Sequence, residues 1–240
     1  MDGRLPVPPG AAATGGVVDP DVLQEVAKAA GEARPARRDY LTPRFEEAVA
    51  AYERGRDREA ARLLAPLVQD LPDVASIRQL AGLAAYREGR WRDAVRNLEA
   101  YQRITGDRSY VPLVMDGLRA QGRRKRVADL WAGFRHDAPN PDVLSEARIV
   151  AAETLADGGD LPGGISVLSG SGAGRRVRNP AVRHLRQWYV LADLYERAGD
   201  VPAARDFFGR VFHADPDFYD VARRLGALGG RVGPGRSRRG

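Results

Sequence analysis

Residues 185–216 read LRQWYVLADLYERAGDVPAARDFFGRVFHADP, and no other stretch limits the possible folds so sharply. Trp188, Leu191 and Tyr195 stand three and four residues apart, so they share one face of a first helix, and Ala192 lets another helix come close to that face. Ala204, Phe208 and Val211 repeat the logic on a second helix. Gly199-Asp200 separates the two, since glycine takes the left-handed conformation that ends a helix, and Pro202 suits the first turn of the next. Pro216 stops the second helix, because proline donates no backbone hydrogen bond and disfavours helix in the residue before it. The pattern predicts a helical hairpin. One hairpin cannot bury its own apolar face, so the pattern also predicts neighbours.

The neighbours are visible upstream. Gly82, Gly89, Ala94 and Leu98 lie thirty-four residues after Ala48, Gly55, Ala60 and Leu64, an internal period that marks stacked repeats. Five copies are expected, at about 41–74, 75–107, 108–141, 142–184 and 185–217, with a closing helix over 218–228. The third is degenerate, with Pro112 at the opening of its first helix. In the fourth, Gly163, Gly164 and SGSGAG at 169–174 shorten the second helix. Residues 1–19 are rich in Pro, Gly and Ala and read as a disordered arm. Residues 20–40 read as a short helix, capped by Asp19, and a linker around Pro35, with the first repeat opening at Thr42-Pro43. Residues 229–240 read as a disordered basic tail.

Charge and cysteine content narrow the chemistry. Cysteine is absent, which removes disulfides, thiolate catalysis and Cys-ligated zinc. The formal charge is +6, but Arg231, Arg236, Arg238 and Arg239 in the tail supply four of those charges, leaving the body close to neutral. All but two of the 38 basic residues are arginine, a skew that fits a GC-rich coding bias. No window is apolar enough to span a membrane and no basic segment leads into an apolar run at the start, so the expected location is the cytoplasm. His136, His184 and His213 are isolated, GSGAGRR at 170–176 lacks the phosphate-loop pattern, and no nucleophile has an oriented base. No metal, cofactor or catalytic residue is therefore expected.

Taken together, the copies over 41–228 resemble tetratricopeptide repeat proteins. Their order is similar to a group of uncharacterised single-domain repeat proteins of high-GC Gram-positive bacteria, through LAGLAAY, EGRW, LADLYERAGD and their spacing. The resemblance implies an all-α, right-handed α-solenoid of about five helical hairpins with a C-terminal capping helix, acting as a non-enzymatic scaffold or adaptor for another protein or peptide. It also implies a concave surface lined by the first helices. The lining residues would be Phe45, Val49 and Tyr52 from the first copy, Gln79, Leu83 and Tyr86 from the second, and Asp116 and Arg119 from the third. Glu153 would follow from the fourth, and Tyr189, Asp193 and Glu196 from the fifth. Such a groove is apolar at its N-terminal end, where the N-terminal arm or helix is a candidate occupant, and acidic at its C-terminal end. It suits a partner with an apolar anchor and a basic end. Repeat domains that clamp chaperone tails carry a Lys and Asn pair on the first helix; Phe45 and Val49, or Gln79 and Leu83, stand there instead. The alternative function is RNA or ribosome association through Arg123, Arg124, Lys125 and Arg126, the loop residues Arg175, Arg176 and Arg178, and the basic tail.

Overall fold

A computed structural model describes residues 13–14, 17–33, 35–173, 175 and 177–229. It is helical apart from one short antiparallel pairing, β1 (Ala13–Thr14) with β2 (Val17–Val18). That pairing occupies part of the stretch expected to be a disordered arm; the rest of that arm apart from Asp19, and the tail from 230 onward, lie outside the described residues. Two compact units divide at Val127/Ala128.

The first unit holds α1 (Pro20–Ala33), α2 (Arg38–Glu53), α3 (Asp57–Asp70), α4 (Ala75–Arg87), α5 (Trp91–Thr105) and α6 (Val111–Ala120), and the division falls inside α7 (Arg124–Phe134). From α1 to α6 each helix packs on the next. Asp19 caps α1 as expected, its carboxylate accepting from the Asp21 amide at 2.9 Å. Leu41 and Phe45 are fully buried on α2. That helix starts at Arg38 rather than at Thr42-Pro43 and carries Pro43 within it. The proline removes one helical hydrogen bond, and burial on both sides of it outweighs the loss.

The second unit holds α8 (Pro141–Asp157), α9 (Leu161–Leu168), α10 (Val182–Arg197), α11 (Val201–Ala214) and α12 (Val221–Ala227). Here α9 packs on α8, α10 on both, α11 on α10 and α12 on α11. The fourth hairpin's second helix is short, as its glycines dictate, and runs into a single π-helical turn at Ser169–Ala173. Trp188, Leu191, Leu194, Phe208 and Val211 make the core.

One turn recurs through both units. Gly55, Gly89, Gly122, Gly159 and Gly199 all have φ between 70° and 92°. After each, the next amide reaches back five residues: Arg56 to Ala51, Arg90 to Ala85, Arg123 to Leu118, Asp160 to Leu155 and Asp200 to Tyr195, all at 2.8–2.9 Å. This closure satisfies helix-end carbonyls and requires a left-handed residue, which is why glycine recurs there. Five residues past each glycine stand Ala60, Ala94, Val127, Gly164 and Ala204, all buried.

Candidate functional site

The residues expected to line a groove fall into two groups. In the first unit Phe45, Val49, Tyr52, Gln79, Leu83, Tyr86 and Asp116 are all 3% exposed or less. They are core, which corrects the expectation of an open apolar lining. First helices pack side by side and use these positions against one another. Gln79 Nε2 donates to Tyr110 Oη at 2.7 Å, and the Tyr86 hydroxyl donates to Asp116. Asp116 in turn accepts from Arg119 Nε at 3.0 Å. Arg87 lies 3.8 Å over the Tyr52 ring and pairs with Asp57 at 3.3 Å, while burial pushes the Tyr52 phenol up. Helix α1 packs against α2 through a face on which Val26 and Ala30 are fully buried, and Glu25 accepts from Ser76 Oγ on α4 at 3.3 Å. The N-terminal helix thus covers part of the first-helix layer.

In the second unit the expected residues come together around one arginine. Arg224 of α12 donates to Asp193 at 2.8 Å and also to Glu196, and its guanidinium lies 4.7 Å from the Phe208 ring and 5.8 Å from that of Tyr189. The two carboxylates hold the Arg224 guanidinium well above its ordinary value, outweighing its partial burial. The Tyr189 hydroxyl donates to Asp220, and burial followed by that bond pushes its pKa up to about 12. Val221 and Leu225 seat α12 from the apolar side, with 0% and 4% exposure. Arg224 was missed as a site residue because its sequence context, VARRLGA, reads only as a capping helix; its thirty-one-residue separation from Asp193 is the usable signal. Glu153 is half-buried on α8.

The basic clusters lie on the outside. Arg123, Arg124, Lys125 and Arg126 are exposed at the start of α7, with Arg126 paired to Glu99. Arg175 and Arg178 are exposed in the second unit. Arg176 and the tail arginines lie outside the described residues. Among the described residues no group of three or more His, Cys, Asp or Glu side chains is placed to hold a metal, and no helix is long and apolar enough to cross a membrane.

The acidic seat of α12 has a pH signature. Burial raises the Asp220 pKa, but hydrogen bonds from Tyr189 and Arg223 outweigh it and hold the carboxyl below its usual 3.8. A depressed folded-state pKa means the stabilisation is fully present above the ordinary value and is lost as pH falls through the folded one. Asp220→Asn should therefore melt below wild type at neutral pH, and the gap should close as pH drops to ~2. A gap constant across that range would contradict the assignment.

Comparison with known protein families found none that matches this chain, and comparison with curated proteins found no match.

Proposed function

We propose that the chain is a non-enzymatic, tetratricopeptide-like interaction scaffold whose last hairpin receives a short helix or peptide from a partner protein. The observation that carries this reading is the seating of α12, which packs on α11 and reaches α10 through Arg224. Seven residues are too few for a helix to persist alone. Here they are ordered by two apolar anchors and one arginine spanning two carboxylates, which is the chemistry of helix recognition in a groove. The chain's own α12 stands in for the ligand. A partner with the same anchors takes its place and meets Asp193 and Glu196, whose side chains are 32% and 36% exposed. Tyr219, just before α12, holds φ +50, a region that a bulky residue occupies only under strain.

The test is affinity capture from native cell extract, with nuclease, at low and high salt. The baits are wild type, Asp193→Asn/Glu196→Gln, and Arg123→Glu/Arg124→Glu/Lys125→Glu. The expected result is a protein held by wild type and by the triple variant, resistant to nuclease, and lost from the acidic-pair variant. Capture of RNA or ribosomes that high salt removes and the triple variant loses would move the function to the α7 cluster, since phosphate contacts weaken steeply with salt.

A further inference from the structure

We infer that the second unit carries a separate site, a basic cleft beside α11 that takes a short acidic peptide segment with one apolar side chain. It shares with the function proposed above only the premise that the partner is a polypeptide. The cleft has a volume of about 650 Å³, within the range of pockets that enclose small ligands. Val177 and Pro180, both half-buried, supply its apolar surface, over a floor of the buried Leu185 and Trp188 of α10. Asp206, Gly209, Arg210 and His213 line it from α11, at i, i+3, i+4 and i+7, which is one face of a helix.

Its charge is one-sided. Arg178 and Arg205 are exposed at the cleft, and Arg205 is anchored by its Nε donating to the Leu228 carbonyl at 2.9 Å. Arg210 is held by Asp206 at 2.6 Å and lies 4.3 Å over the Phe207 ring. Three arginines stand against one carboxylate. A cleft of 860 Å³ beside the first hairpin turn lacks this imbalance: Arg56, Arg58, Arg62 and Arg90 line it together with Asp57, Glu59 and Glu88.

Gly209 is the second observation. Glycine inside a helix weakens it, so packing usually explains its presence. No packing reason exists here, since a Cβ at Gly209 would meet nothing within 4 Å. What its missing side chain does is leave room in the cleft, beside an apolar surface. An apolar side chain fits that room, and carboxylates on either side meet Arg178 and Arg205. Single-stranded RNA fits less well, because Trp188 is 3% exposed and offers no face on which a base can stack.

The test uses the full chain and fluorescence anisotropy with three labelled probes: the peptide Glu-Asp-Phe-Glu-Asp, its Gln/Asn counterpart, and an oligouridylate. Saturable binding of the acidic peptide is expected, with the amide counterpart and oligouridylate weaker. Arg178→Glu and Gly209→Leu should each weaken it by about tenfold or more, a loss on the scale of one good contact. Gly209→Leu should melt no lower than wild type, because leucine favours helix and its Cβ meets nothing within 4 Å. No saturable binding, an affinity unchanged in either variant, or tighter binding of oligouridylate would each overturn the proposal. Failure here with capture still dependent on Asp193 and Glu196 would remove the cleft alone, whereas the reverse would remove the α10 seat alone.

Discussion

Gly82→Leu should destabilise the first unit by about 3 kcal/mol, at the upper end of what overpacking a core costs. A Cβ at Gly82 would sit 2.6 Å from both Cγ and Cδ2 of Leu98, and 3.2 Å from the Leu98 backbone nitrogen. The side chain could turn away at some cost in rotamer strain; the backbone nitrogen cannot, because it is fixed within α5. Everything past Cβ adds to a space that does not exist. The expected readout is a fall of ~10 °C in the melting transition of that unit. Gly82→Ala and Leu98→Ala should couple, the double variant losing less than the sum of the two single variants, since truncating Leu98 removes the side-chain part of the clash. An unchanged transition in Gly82→Leu would mean that α4 and α5 do not meet in this register.

Phe208→Ala should cost about 3–5 kcal/mol, the range for truncating a buried aromatic. Phe208 is fully buried on α11 and meets the Tyr189 ring of α10 edge-on at 5.4 Å. It also lies under Arg224 of α12 at 4.7 Å, so one ring joins three helices. Truncation removes apolar burial, the aromatic contact and part of the arginine's seat together. Phe208→Leu keeps most of the volume and should cost less than about 1.5 kcal/mol. Denaturant unfolding of the two variants checks both, and a loss below about 1 kcal/mol for alanine would place Phe208 outside the core.

How far the sequence reached can be traced residue by residue. The turn glycines and the small residues after them were legible because each reflects a local requirement: a positive φ at Gly199, or close approach at Ala204. Period and spacing carried these over from one hairpin to the next. The groove was less legible. Phe45, Leu83 and Tyr86 occupy the expected face of their helices, but whether such a face meets solvent or a neighbour depends on tertiary packing, which no local pattern encodes. The same holds for Pro43, tolerated inside α2 because of the burial around it. Arg224 and the cleft at Gly209 were hidden for a related reason. Each is made of residues distant in sequence, Asp193 with Arg224 and Arg178 with Arg205, whose meeting exists only once α10, α11 and α12 are assembled.

Amide hydrogen exchange on the full chain, with and without the captured partner, tests the central claim most directly. If the partner takes the place of α12, amides of residues 221–227 should lose protection on binding while those of α10 around Asp193 and Glu196 keep or gain it. Unchanged exchange in both helices, with protection appearing instead only around Arg123–Arg126, would contradict the account.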